Sequence, residues 1–234
     1  MLKHIETISR PDGASWERYE ASDCKILMTS RGQELLDEQP EVDALISTYL
    51  NEAIGRTALV GSVIREFFAE GSNSRIYSVN RELVMKETRA HSMQDMLERL
   101  DLISFSIESG SVPRWIDVAT HYALIEPQHS DMQYVLMQKV DSGVNVGHIL
   151  HPDDSSELER KGVIAEFGGP IAPETQDEIR ERYHLARKII DQAVAEQGHA
   201  PSELITDWHE GNVLVERLRT PVAGSKHKLW VIDQ

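Results

Sequence analysis

Cysteine is nearly absent from this chain: Cys24 is the only one in 234 residues. One thiol cannot form an intramolecular disulfide, and a thiolate zinc site is not expected either. A reducing compartment is therefore the default. Basic residues are scarce beside acidic ones, 24 against 39, and the formal net charge is −15. That balance repels phosphate backbones and anionic bilayers, so neither nucleic acid nor a membrane surface is expected as a partner. No apolar run approaches the roughly 18–20 residues that a membrane-spanning helix needs. The first residues, Met-Leu-Lys-His-Ile-Glu-Thr, lack the basic region and apolar core of a secretory signal. A cytoplasmic location is the expectation. What remains is 40% hydrophobic and 27% charged, the composition of a globular chain. The length suffices for one large domain or two small lobes.

The most informative stretch is Ile205-Thr-Asp-Trp-His-Glu-Gly-Asn-Val-Leu-Val-Glu216. Asp207 and Asn212 are followed by the apolar run Val213-Leu214-Val215, and a second apolar run, Leu229 to Ile232, ends at Asp233. Two short strands would thus carry Asp207, Asn212 and Asp233 at their ends. Phosphoryl transfer needs such groups: one carboxylate to orient an attacking hydroxyl, and an amide and a second carboxylate to hold Mg2+ against nucleotide phosphates. The pattern resembles the catalytic loop of the protein-kinase-like superfamily, D-x-x-x-x-N followed by a strand and the metal-binding Asp.

Upstream, Phe67-Phe68 leads into Ala-Glu-Gly71-Ser72-Asn73-Ser74, a turn signal, and then into Ile76-Tyr77. Asn80-Arg81 reads as a tight connection to the strand Leu83-Val-Met-Lys86. Lys86 lies 15 residues after Gly71, at the end of an apolar strand. Taken alone it would read as a solvated strand-end lysine. A helix capped by Ser92 follows, with Met93, Met96, Leu97, Leu100, Ile103 and Ile107 on one face. Tyr134 to Val140 is a further buried strand, and about Pro173 to Gln197 a long helix stopped by Gly198. Before all of these, Val42, Leu45, Ile46, Tyr49, Leu50 and Ile54 predict an amphipathic helix.

The order of these elements is that of a protein kinase. The resemblance implies an α+β, two-lobed fold, an antiparallel-sheet N-lobe followed by a truncated, mainly helical C-lobe. Its expected organisation is an extension over 1–60, an N-lobe with its hinge strand over 61–140, and a partial C-lobe over 141–234. The resemblance further implies ATP and Mg2+ as cofactors. Asp207 would be the catalytic base, Asn212 and Asp233 the metal ligands. Lys86 would pair with phosphates and with an acidic partner, Glu98, with Asp95 and Glu108 as alternatives. Gly71, Ser72, Asn73 and Ser74 would cover the phosphates; Met137 would be the gatekeeper, and Gln138 to Val140 the hinge.

Three departures bear on this reading. Ile205-Thr206 stands where protein kinases carry His-Arg. His209 gives the loop the D-x-H-x-G-N form of aminoglycoside-phosphotransferase-like and atypical kinases, and it would either contact the γ-phosphate or brace the loop. Asp233 is followed only by Gln234, so the D-F-G Phe and Gly are missing. A fragment of a longer kinase and a naturally minimal kinase both fit that ending. Three activities stay open: a kinase acting on protein Ser/Thr hydroxyls or on itself, a small-molecule kinase, and a pseudokinase scaffold.

Overall fold

The computed structural model describes residues 3–9, 15–21, 24–39, 66–70, 74–88, 93–128, 132–140, 142–196 and 208–232. In chain order the first elements are β1 (Lys3–Ser9), β2 (Ser15–Ala21), β3 (Cys24–Met28), α1 (Ser30–Glu38), β4 (Glu66–Glu70), β5 (Ser74–Ser78), β6 (Leu83–Thr88) and α2 (Met93–Glu108). Then come β7 (Ile116–Val118), β8 (His121–Pro127), β9 (Gln133–Gln138), β10 (Val144–Asn145), α3 (Val146–Leu150), α4 (Glu157–Phe167), α5 (Pro173–Glu196), β11 (Val213–Val222) and β12 (Ser225–Val231). The chain divides into two compact units, one made of Met1–Leu97 and Thr120–Lys139, the other of Glu98–Ala119 and Val140–Gln234. The division falls inside α2.

The first unit is an eight-stranded sheet in the order β1-β2-β3-β8-β9-β6-β5-β4, every neighbouring pair antiparallel. The β5–β6 turn shows why the sequence reading worked there. The Asn80 Oδ1 accepts from the N–H groups of Glu82 and Leu83, both at 2.8 Å, an Asx-type turn that reverses the chain between two apolar runs. One face of the sheet buries Ile26, Met28, Leu83, Met85, Ile125 and Leu136, with Leu35 of α1 packed against them. Each such side chain contributes about 1.5–3 kcal/mol when removed from water.

Three strands and a helix of this unit come from residues 3–39, which carried no assigned role in the sequence. β3 supplies Ile26 and Met28 to the core, but β1 is exposed along nearly its whole length. As the outermost strand it has no buried face, and so no alternating pattern to read. α1 is capped by the Thr29 hydroxyl, which accepts from the Gly32 N–H at 3.1 Å. The amphipathic helix expected over residues 42–54 lies outside the described residues.

The second unit has a four-stranded sheet in the order β10-β11-β12-β7, with β7 parallel to β12 and the other pairs antiparallel. Helix α5 buries Ile179, Tyr183, Ala186, Ile190, Ala193 and Val194, the stripe its three- and four-residue spacing predicts. Helix α4 starts in a capping box: the Ser156 hydroxyl accepts from the Glu159 N–H, and the Glu159 carboxylate accepts from the Ser156 N–H. The architecture is α+β, an antiparallel sheet followed by a mainly helical unit, as the kinase resemblance implies.

Candidate functional site

Lys86 sits on β6, an inner strand, opposite Ile76 of β5 and Val135 of β9. It is 6% exposed. Val84, two residues before it, is paired with Met137. Residues two apart on a strand, and residues directly opposite across a ladder, share a face. Lys86 and Met137 therefore lie on one face of the sheet, and the Leu83–Met85–Leu35 core lies on the other. A lysine buried on an inner strand is costly unless it meets an anionic group, so the solvated strand-end reading of Lys86 does not hold. At the end of β9, the Gln138 N–H donates to the Thr120 carbonyl and the Lys139 N–H to the Glu82 carbonyl, each at 2.7 Å. Those two hinge donors are engaged within the unit. Val140 is half-buried and belongs to the second unit, as does the half-buried Glu98 on α2.

In the second unit, residues 208–212 are built as a tight loop. Trp208 is 8% exposed and stacks on Tyr183 of α5, ring centroids 5.4 Å apart. The His209 Nδ1 accepts from the Gly211 N–H at 2.9 Å, so its ring closes over the backbone of its own loop. A Cβ on residue 211 would lie 2.6 Å from that ring, so glycine is required for the ring to seat there. The sequence left His209 between phosphate contact and loop bracing; the bond to Gly211 is a bracing contact. Glu210 to Asn212 then form a single 3-10 turn, closed by the Asn212 N–H donating to the His209 carbonyl at 3.0 Å.

The β11–β12 hairpin anchors the far end of this turn. Val213 pairs with Val231, and the Ile232 N–H donates to the Asn212 carbonyl at 3.0 Å. Asn212, itself 8% exposed, is thereby tied to the residue that precedes Asp233. The loop is also held from the preceding elements. The Asn145 Nδ2 donates to the Gly211 carbonyl at 2.8 Å, and the His151 Nε2 lies 2.9 Å from the Glu210 carboxylate. Neither contact was legible in the sequence. The signal for Asn145 was a helix-capping Asn before Val-Gly-His-Ile-Leu, but α3 is five residues long, too short to show a period.

Beside this loop lies an open cavity of about 680 Å3, bordered by Asn145, His151, Asp154, Tyr183, Arg187 and Glu210 among others. Burial, then the Glu210 carboxylate, push the Tyr183 phenol up to about 12, so it stays protonated and cannot serve as a base near neutrality. Although four histidines border the cavity, no cluster of three His, Cys, Asp or Glu among the described residues is arranged to hold a metal ion.

His227 of β12 is 5% exposed and lies against the ring of Phe167, centroids 5.8 Å apart. Burial holds its pKa below the usual value, more strongly than the nearby Glu178 carboxylate raises it. The folded chain resists protonating this ring while the unfolded chain does not. The stability it contributes is present above the unfolded pKa of about 6.5 and is lost as pH falls below it. The melting temperature is expected to drop by a few degrees between pH 7 and pH 5, and His227→Phe to shrink that drop. Thermal unfolding by circular dichroism at the two pH values checks it.

Asp207, Asp233, Gly71, Ser72 and Asn73 lie outside the described residues, and Ser74 is described only as the first residue of β5. No protein-family model matches the chain, and no curated protein does. Among solved structures, the chain is similar to the streptomycin-ATP-APH(2")-IIa ternary complex, with 14% identity and a TM-score of 0.25 over 70% of this chain. The match covers 55% of that chain, so this one spans about half its length. Among the described residues, no helix is long and apolar enough to cross a membrane.

Proposed function

We propose that the chain is an ATP- and Mg2+-dependent phosphotransferase whose acceptor is a protein Ser/Thr hydroxyl, its own included. The observation that carries the reading is the hydrogen bond from the Ile232 N–H to the Asn212 carbonyl. Asp233 follows Ile232 directly in the sequence. The Asn212 side-chain amide oxygen and the Asp233 carboxylate are hard oxygen donors, the kind Mg2+ takes alongside phosphate oxygens. The ion would neutralise charge on the transferred group.

The remaining roles belong to the chain's own groups. Asp207, directly before the braced loop, orients the acceptor hydroxyl and receives its proton. Lys86 is the fixed cation for the nucleotide phosphates, with Glu98 as its acidic partner, and Gly71 to Ser74 cover them. Met137 and the segment Gln138 to Val140 border the base. His209 keeps the loop in shape through Gly211. Catalysis of this kind is positioning and electrostatic stabilisation rather than covalent chemistry.

A second reading changes the acceptor to a small molecule. The cavity beside Trp208 to Gly211 favours it, since about 680 Å3 falls inside the roughly 300–1,000 Å3 that small-molecule sites occupy. The test is transfer from γ-labelled ATP with Mg2+, wild type against Asp207→Ala and Asp233→Ala, with and without a general protein acceptor. Label on protein that both substitutions abolish supports the first reading. ATP hydrolysis without labelled protein favours the second, and ATP-dependent heat protection without any turnover selects a pseudokinase scaffold. No binding and no turnover would sink both.

A further inference from the structure

We infer that Asn145 is a positioning residue for the loop from Trp208 to Asn212: its carboxamide sets the peptide that leads into Asn212. The inference rests on the phosphotransfer reading to the extent that Asn212 is taken as a metal ligand. The side chain makes two bonds of opposite kind. Its Oδ1 accepts from the Gly147 N–H at 2.8 Å, which caps α3, and its Nδ2 donates to the Gly211 carbonyl at 2.8 Å. Rotating the amide by half a turn would set N–H against N–H and C=O against C=O, so its two partners fix its orientation.

The backbone of Asn145 is fixed as well, since in β10 it pairs with Leu214 of β11. One residue therefore joins the hairpin, the start of a helix and the loop. The Gly211 carbonyl belongs to the same peptide plane as the Asn212 N–H, which donates to the His209 carbonyl at 3.0 Å. The peptide on the other side of Asn212 is held by the Ile232 N–H, also at 3.0 Å. Both peptides flanking Asn212 are thus pinned, and Asn145 provides the pin that comes from outside the hairpin and the loop.

A cap alone does not require asparagine here. Aspartate and serine cap helices about as well. What asparagine adds is the donor for the Gly211 carbonyl. Asn145→Asp keeps the acceptor for Gly147, removes the donor and turns a carboxylate towards a carbonyl. Asn145→Ala removes both functions.

The experiment measures amide hydrogen exchange over residues 208–212 and over α3 in the full chain, together with kcat and KM for γ-labelled ATP. In Asn145→Asp, exchange at 208–212 is expected to rise about fivefold or more while α3 is unchanged. The kcat is expected to fall about ten- to hundredfold with little change in KM, because the loop is misplaced rather than unfolded. In Asn145→Ala both segments should loosen. Unchanged exchange at 208–212 in Asn145→Asp overturns the proposal, as does loosening of both segments together in that variant. If the wild type labels no protein, the protein-acceptor reading fails, and the exchange pattern alone decides whether Asn145 holds the loop.

Discussion

Lys86→Met is expected to lower phosphate transfer about a hundred- to a thousandfold, the usual loss when one pre-placed electrostatic group is removed. Methionine nearly matches the lysine stem in length, so it can fill the slot between Ile76 and Val135. The sheet keeps its packing and loses only the cation. Burial makes the effect large. A lysine on an open surface shares its charge with water and is screened, whereas one 6% exposed acts in a weaker dielectric. The comparison requires labelled-ATP rates divided by the folded fraction from unfolding curves of each protein. A rate within a factor of about three of wild type would remove Lys86 from the phosphate site.

Gly32→Ala is expected to destabilise the first unit by about 2 kcal/mol or more, although alanine is the better helix former by about 1 kcal/mol. Gly32 lies in the first turn of α1. A Cβ there would be 2.2 Å from the Tyr122 carbonyl oxygen and 2.6 Å from the Met28 Cγ. The Met28 side chain can turn aside, but the Tyr122 oxygen is backbone in β8 and also accepts from the Thr29 N–H at 3.0 Å. To admit the methyl group, α1 must lift from β8. That movement also strains the Thr29 hydroxyl, which donates to the His121 carbonyl at 2.8 Å. Urea unfolding of the two proteins separates the opposing effects. A midpoint equal to or above wild type would mean that helix propensity wins and that α1 is not seated against β8.

The difference between legible and illegible parts of this chain reflects how each residue interacts. The β5–β6 turn was readable because Asn80 and the flanking apolar residues act locally. The α5 stripe was readable because 24 residues give a helical period room to repeat. Lys86 was singled out by its order in the chain, and the fold places it on an inner strand. The loop contacts were hidden for the opposite reason. Asn145 and Gly211 are 66 residues apart, and no local pattern marks one as the partner of the other. His209 was ambiguous because imidazole can accept from a backbone amide or approach a phosphate. Only the 2.9 Å contact with Gly211 shows the bond it makes in the folded chain. β1 and α1 were missed because an exposed edge strand and a polar nine-residue helix bury too little to leave a pattern.

The pairing of β3 with β8 sets a timetable for synthesis. Cys24 pairs with Pro127 and Met28 with Ala123, so the strand made early in translation waits for one roughly a hundred residues later. At about 5–20 residues per second, that wait on the ribosome is on the order of 5–20 s. During it, Ile26, Leu27 and Met28 have only β2 and α1 to pack with, and the strand edge they present is both apolar and unpaired. The nascent chain therefore carries a sticky strand until β8 and β9 emerge. Slower elongation between those two points lengthens the exposure, and chaperones that bind short apolar strands have their best opportunity in that interval.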